Sequence, residues 1–337
     1  MKLSLILPCL LVASCVAGPN LAASSAGPAI DRDFPDPAVI RAADGNYYAY
    51  ATQSEQDGRM VNIQIARSVD LAHWTLLGDA LPAKPVWASR TQDFWAPHVI
   101  AADGRYYLYY SAKPDAALSD AKRGLCLAVA IAERPEGPFV DKGDPLLCGE
   151  SFINIDPMAF DDPVSGKHLL YWGSGFGPIK VRELAADRIS FRPGSTTIEL
   201  VQPDPTDRPE NYQRLVEGAW VMRHGGWYYL FYSGDNCCGA KAHYAVMVAR
   251  SRSATGPFET LGHTKGRIGS AIVEANERWL APGHNAIVED RHGRTWILFH
   301  AIDRRHAATP SQNSEESRRA MLVGTITWRN GWPVVRY

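Results

Sequence analysis

The 337-residue sequence has few cysteines and almost no net charge. None of its six cysteines stands in a CxxC or Cys/His spacing of the kind that binds a metal. Lys plus Arg number 35 and Asp plus Glu number 36, which gives a formal net charge of −1. Nucleic acids and anionic membranes select for basic surfaces, so we expect neither as the main partner. Beyond the N-terminus, no apolar run is long enough to span a bilayer.

The N-terminus has the pattern of an export signal. Lys2 precedes an apolar run over residues 3–16, which is too short to span a bilayer as a mature helix. Residues 12–15, Val-Ala-Ser-Cys, resemble a bacterial lipobox, in which Cys15 would carry a lipid anchor. The alternative is ordinary cleavage after a small residue between positions 13 and 23.

We therefore expect residues 1–28 to be a signal peptide and tether, and the protein to be periplasmic, anchored in the outer membrane or secreted. In an oxidising compartment cysteines tend to pair. Cys126 and Cys148 flank a segment that predicts strand, turn and strand, and they could form a disulfide. Cys237 and Cys238 are neighbours in the chain, and we expect them to be structural.

One sequence pattern recurs five times: a short apolar strand, a polar turn with glycine, and a strand rich in aromatic residues. The aromatic strands begin at Asn46, Arg105, Lys167, Trp227 and Thr295, so the repeat is near sixty residues long. No sustained helical periodicity competes with this pattern. Five repeats of about four strands predict an all-β protein, a five-bladed β-propeller over residues 29–337. In that architecture the first strand of each blade lines the central axis.

The apolar strands share one register position, and it carries acids. When the strands are aligned, the residues at this position are Asp36, Ala96, Asp156, Glu217 and Gly283, with His284 next to the last. A propeller brings these positions together at one end of its axis. Asp before Pro is also a common turn element, so a single aspartate would be read as structural. Three converging carboxylates suit glycoside hydrolysis, which needs one protonated acid and one ionised carboxylate.

Four short motifs surround these residues in the order of successive blades. They are Phe34-Pro35-Asp36-Pro37, Asn154-Ile155-Asp156-Pro157, Val216-Glu217-Gly218 and Ala281-Pro282-Gly283-His284-Asn285. Here the sequence, from about Phe34 to Tyr337, resembles glycoside hydrolase family 43, five-bladed propeller enzymes acting on arabinose- and xylose-containing glycans. The resemblance implies an inverting mechanism with Asp36 as general base and Glu217 as general acid, about 6.5 to 9.5 Å apart. Asp156 would tune the pKa of the acid and orient it.

The resemblance also implies a largely hydrated calcium ion on the axis beside His284, although the histidine could instead be satisfied by hydrogen bonds. No cofactor is required for the chemistry. Trp95 opens the second blade in the same register, so we expect its ring to stack on a pentose, with Phe34 and Trp220 as weaker candidates. Arg319 begins a fifth-blade strand and, by the resemblance, would hold the substrate and the modulating aspartate; a solvated charge is the alternative.

The catalytic trio does not separate the linkages that such enzymes cleave. Residues 235–239, Asp-Asn-Cys-Cys-Gly, resemble a stretch of arabinan-cleaving members, whereas Glu217 is followed by Gly218-Ala219 as in exo-acting arabinofuranosidases and xylosidases. We expect cleavage of α-L-arabinofuranosyl linkages in arabinan or arabinose-containing plant glycans. The alternatives are a β-D-xylosidase acting on xylo-oligosaccharides and a catalytically inactive sugar-binding propeller. Endo or exo action and the oligomeric state stay open.

Overall fold

The computed structural model describes residues 27–267, 269–306 and 317–337. The lipobox with Cys15 and nearly all of the expected signal and tether lie outside these residues. Within them the chain is almost entirely β-structure. Two short 3-10 helices (Val86–Ala88 and Asp115–Leu118) and one α-helix, α1 (Leu261–Lys265), complete the described elements. No helix in this part of the chain is long and apolar enough to cross a membrane.

Each sheet is built from consecutive antiparallel strands. The first contains β1 (Ala38–Arg41), β2 (Tyr47–Ala51), β5 (Gln64–Ser68) and β6 (Thr75–Asp79), with the hairpin β3 (Ser54–Gln56) and β4 (Arg59–Val61) inserted after β2. The second contains β7 (Phe94–Ala102), β8 (Arg105–Ala112), β9 (Cys126–Ala132), β10 (Val140–Asp141) and β11 (Leu147–Cys148). The third contains β12 (Met158–Asp161), β13 (His168–Trp172), β14 (Lys180–Leu184) and β15 (Ile198–Glu199).

The last two sheets follow the same plan. The fourth contains β16 (Val216–His224), β17 (Trp227–Asn236), β18 (His243–Ser251), β19 (Glu259–Thr260) and β20 (Ala271–Val273). The fifth contains β21 (Trp279–Glu289), β22 (Thr295–Asp303), β23 (Arg319–Arg329) and β24 (Trp332–Arg336). The innermost strands β1, β7, β12, β16 and β21 each contact the next, and β21 contacts β1. The predicted five-bladed β-propeller is therefore confirmed.

The aromatic strands are the second strands of the blades, and their side chains fill the spaces between neighbouring sheets. In each of the first three blades, the hydroxyl of one fully buried tyrosine also donates a hydrogen bond to a backbone carbonyl of the following blade. The pairs are Tyr50–Pro135, Tyr109–Arg188 and Tyr171–Ala254, at 2.6, 2.7 and 2.7 Å. The core thus lies between the blades, and the aromatic strands serve packing.

The first described residues close the ring by joining the fifth blade. Ile30 forms a β-bridge with Met321 of β23. This bridge lies past the part of β23 that pairs with β24. The Phe34 N–H donates to the Arg319 carbonyl at 2.9 Å, and the Arg319 N–H donates to Asp33 Oδ1 at 2.9 Å. The start of the propeller therefore holds the beginning of β23.

Two cysteine pairs are bonded in the structure. Cys126 and Cys148 are cross-strand partners on β9 and β11 with Cα atoms 4.1 Å apart, and they form a disulfide. Cys237 and Cys238 are also joined to each other, after the end of β17. The first of these bonds ties a peripheral strand to the second blade.

Candidate active site

At one equivalent position in each blade, at or near the start of the inner strand, the backbone adopts the left-handed conformation. The residues at this position are Asp36, Ala96, Asp156, Gly218 and His284, with φ between 47° and 62°. In β7, β16 and β21 the strand pairing shifts at this point, which marks a bulge. The predicted alignment was wrong by one residue in the last two blades, because the equivalent positions are Gly218 and His284 rather than Glu217 and Gly283.

A side chain from the preceding blade accepts a hydrogen bond from the backbone N–H at four of these positions. The donor–acceptor pairs are Asp36–His300, Ala96–Thr52, Asp156–Ser111 and His284–Ser233, at 3.0, 2.8, 3.1 and 2.8 Å. Ser111, Ser233 and His300 lie within the aromatic strands, and Thr52 directly follows one. In the third blade the corresponding residue is Gly173, which has no side chain, and Asp156 Oδ2 accepts from the Gly218 N–H at 3.0 Å instead.

Three of these left-handed residues, Asp36, Asp156 and His284, line a cavity of about 610 Å³. The predicted site residues that line it are Asp36, Trp95, Asp156, Glu217, His284 and Arg319. The structure therefore brings together, from all five blades, side chains that are far apart in the chain. A cavity of this size is typical of small-molecule binding sites.

Two predicted sugar-binding residues lie elsewhere. Phe34 is 0% exposed and belongs to the hydrophobic core, and Trp220 is 8% exposed with its ring edge-on to His98 at 5.0 Å. The Phe34 backbone is fixed beside Arg319 with the ring turned inward, and the bulge after Glu217 turns Trp220 into the core. Neither ring lines the cavity, so their assignment to sugar binding is corrected.

Asp36 is surrounded by groups that favour its charged form. Arg319 Nη1 donates to Asp36 Oδ1 at 3.1 Å, and the Thr52 hydroxyl donates to Oδ2 at 2.5 Å. Burial alone would raise the pKa of Asp36, but Arg319, His284 and His300 outweigh it and hold that pKa well below its usual range. The structure thus places Arg319 on Asp36, whereas the sequence predicted a contact with the modulating aspartate.

Glu217 has the opposite electrostatic environment. Burial raises the pKa of its carboxyl to about 7, although hydrogen bonds from Tyr244 and Ser174 act to lower it. The Tyr244 hydroxyl donates to Oε1 at 2.7 Å and the Ser174 hydroxyl to Oε2 at 2.8 Å. Gly283 allows the tyrosine ring to reach this place, because a Cβ there would lie 2.0 Å from Tyr244 Cδ1.

Asp156 stands near both Asp36 and Glu217. Its Oδ2 accepts from the Gly218 N–H and stands 3.9 Å from His284 Nδ1. Burial, followed by the charges of Glu217 and Asp36, raises the pKa of Asp156 well above its usual range. The site thus holds one ionised carboxylate, Asp36, beside two that retain a proton more strongly. Such a separation provides a base and an acid at the same pH.

The surroundings of His284 do not form a calcium cage. Calcium takes six to eight oxygen ligands, and among the described residues no group of three or more His, Cys, Asp or Glu side chains is placed to hold a metal. His284 Nδ1 faces Asp36 Oδ1 at 3.5 Å, and that oxygen is already bonded to Arg319. The hydrated calcium ion stays a prediction.

Several residues that shape the site were missed by the sequence reasoning. Thr52, Ser174, Tyr244 and His300 contact the acids or their backbone, and the sequence predicts a role for none of them. A signal did exist for part of this set, because Thr52, Ser111 and Ser233 recur at the same point after the aromatic residues of three repeats. The contact between Tyr244 and Glu217 depends on the fold and leaves no such signal.

Comparison with known proteins agrees with this architecture. A profile of glycosyl hydrolases family 43 matches residues 26–333. A probable arabinan endo-1,5-α-L-arabinosidase A of Aspergillus flavus is 28% identical over 314 residues, covering 89% of this chain and 90% of the relative. An extracellular endo-α-(1→5)-L-arabinanase 1 of Bacillus subtilis is 27% identical over 310 residues, covering 88% and 86%. The solved α-L-arabinanase of Cellvibrio cellulosa superposes with a TM-score of 0.72 at 24% identity, covering 90% of this chain and 95% of that one, and supports the fold.

Proposed function

The chain belongs to glycoside hydrolase family 43, and from that premise we propose that it hydrolyses α-L-arabinofuranosyl linkages in arabinan and its oligosaccharides. The named activities of the Aspergillus and Bacillus relatives support arabinan as the substrate. The observation that carries the proposal is the cavity in which Asp36 and Glu217 have pKa values shifted in opposite directions.

In the proposed reaction Asp36 acts as the general base. Its low pKa keeps the carboxylate ionised, and Arg319 and Thr52 fix its two oxygens. The carboxylate takes a proton from a water molecule while the water oxygen forms a bond to the anomeric carbon. Attack from the face opposite the leaving group inverts the configuration at that carbon.

Glu217 acts as the general acid in the same step. With a pKa of about 7 it is still largely protonated at mildly acidic pH, and it gives its proton to the glycosidic oxygen as the carbon–oxygen bond breaks. Asp156 orients the acid, because its Oδ2 accepts a hydrogen bond from the backbone N–H of Gly218, the residue after the acid. After turnover the proton taken up by Asp36 and the one lost by Glu217 are exchanged with water.

A substrate panel with leaving-group variation tests the proposal. We expect release of arabinose units from linear arabino-oligosaccharides and of nitrophenol from the nitrophenyl α-L-arabinofuranoside, and NMR should show the inverted anomer as first product. Glu217→Ala should lose most activity on oligosaccharides but much less on the nitrophenyl glycoside, whose leaving group needs little protonation. Glu199→Ala, an exposed carboxylate on β15, is the matched control.

The other outcomes separate the alternatives. Cleavage of β-D-xylosides alone would identify a xylosidase, and sugar binding without any cleavage would identify an inactive propeller. Equal loss on both arabinose substrates in Glu217→Ala would contradict its role as the acid. We further propose export, since the Bacillus relative is named as extracellular and the N-terminal sequence has a signal pattern.

A further inference from the structure

Two phenylalanine rings stand together at the mouth of the catalytic cavity, on the third blade. Phe152 precedes β12 and Phe176 lies between β13 and β14. Their ring centroids are 5.9 Å apart with the planes at 69°, and both rings line the cavity that holds the three acids. Phe176 is 65% exposed, although it is a large apolar residue.

The backbone of these loops is arranged to keep the pair in place. Phe176 has φ of 62°, a left-handed conformation that bulky side chains rarely adopt. Gly175 before it also has positive φ, and a Cβ at Gly175 would lie 2.9 to 3.1 Å from atoms of Ile153. Only glycine allows the two loops to approach this closely, and the contact sets the two rings side by side.

The pair lies on the side of the general acid. The hydroxyl of Ser174, two residues before Phe176, donates a hydrogen bond to Glu217 Oε2 at 2.8 Å. In the proposed reaction Glu217 protonates the oxygen of the departing sugar. The loop that holds the acid therefore also carries the exposed ring next to the place where the leaving group sits.

We propose that Phe152 and Phe176 form the subsite that binds the leaving-group end of the glycan, by stacking of the rings on the apolar C–H face of a neutral pentose. The inference rests on the proposed function and names a binding site for it. The cavity of about 610 Å³ is lined by the acids and by both of these rings. A flat apolar ring suits an uncharged sugar, whose ring carbons pack against it while its hydroxyls stay in water.

The test compares a substrate whose leaving group is a sugar with one whose leaving group is fluoride. Arabinotriose places a sugar in the subsite, whereas α-L-arabinofuranosyl fluoride leaves it empty. We expect Phe176→Ala to lower kcat/KM for arabinotriose by about tenfold, the effect of losing roughly one good interface contact. The same variant should change kcat/KM for the fluoride by less than about twofold, and Phe176→Trp should restore the triose activity.

Val164→Ala is the matched control, because Val164 is equally exposed at 65% on the same blade and does not line the cavity. Thermal unfolding of each variant checks that the blade remains intact. Equal loss on both substrates, or no loss on arabinotriose, would overturn the subsite. A wild-type protein that cleaves neither arabinose substrate would overturn the proposed function itself.

Discussion

Asp36 and Glu217 share one buried cavity, yet their carboxyl groups meet different neighbours. A guanidinium and a threonine hydroxyl bind Asp36, while only uncharged hydroxyl groups bind Glu217. Because the guanidinium is positively charged, it offsets the burial of Asp36, and no cation does the same at Glu217 within hydrogen-bond distance among the described residues. The roles of base and acid follow from this difference in neighbours.

The low-pH limb of activity should depend on Arg319. Replacing it by Met removes the positive charge that favours ionised Asp36, so the pKa of Asp36 rises and the base is lost at higher pH than in wild type. We expect the acid limb of the kcat/KM profile to move upward by about one to three pH units. Arg318→Met is the control, since Arg318 pairs with Asp31 and does not line the cavity. An unchanged acid limb would contradict the prediction.

The high-pH limb should depend on Tyr244. Its hydroxyl donates to the Glu217 carboxylate and so stabilises the deprotonated form. In Tyr244→Phe the pKa of Glu217 therefore rises, and the alkaline limb of kcat/KM should move up by about one pH unit. Tyr232→Phe removes a hydroxyl bonded to Gln213 in the same blade and should leave the limb in place. A downward shift would show that the hydrogen bond favours the protonated acid.

At the scale of strands, four of the five blades fix the start of the next blade through a side chain. The aromatic strand of one blade supplies a side chain that accepts the N–H of the left-handed residue in the following blade. Because these N–H groups are buried and cannot reach water easily, each accepting side chain matters for stability as well as for the placing of the acids.

Ser111 offers a direct test of this arrangement. Ser111→Ala leaves the buried Asp156 N–H without its acceptor, which should cost about 1–3 kcal/mol of unfolding free energy and also lower kcat. Urea unfolding and steady-state kinetics measure the two effects. Ser119→Ala, an exposed serine after the second 3-10 helix, should change neither. Full stability with full activity in Ser111→Ala would show that the hydrogen bond from the Asp156 N–H to Ser111 is dispensable.

The sequence predicts the strands more completely than it predicts the residues of the site. The repeat of about sixty residues located the inner and aromatic strands of all five blades, because alternation and turn residues are local signals. It placed Glu217 and Gly283 one position off, since the bulges in β16 and β21 leave no mark in the spacing. It also assigned Phe34 and Trp220 to sugar binding, although both rings are in the core. Whether a ring faces the cavity or the core depends on the strand pairing in three dimensions, which the sequence alone does not reveal. Phe152 and Phe176 escaped it for the same reason.

At the scale of the whole molecule, the beginning of the propeller supports a residue of its last blade. Asp33 accepts the backbone N–H of Arg319, whose side chain in turn holds Asp36. Ring closure and the electrostatics of the base are thus served by the same contacts. A change at the closure should therefore be felt in both stability and catalysis.

Asp33→Ala tests this coupling. Removal of the acceptor should lower the unfolding free energy by about 1–2 kcal/mol, and it should reduce kcat/KM because Arg319 is held less firmly. Asp31→Ala, which removes an exposed partner of Arg318, is the control and should have a much smaller effect on kcat/KM. Loss of stability with unchanged kinetics would contradict the prediction, because it would show that the Asp33 contact closes the propeller without affecting catalysis.

The five equivalent left-handed positions share one backbone conformation, but they do not carry one residue type: they are Asp36, Ala96, Asp156, Gly218 and His284. A perfectly symmetric version, with one blade copied five times around the axis, would keep every turn and every hydroxyl cap. It would also surround the axis with five identical side chains, and identical carboxyl groups would have no reason to divide into a charged base and a protonated acid. Symmetry therefore supplies the frame of this enzyme, and its chemistry begins where the blades differ.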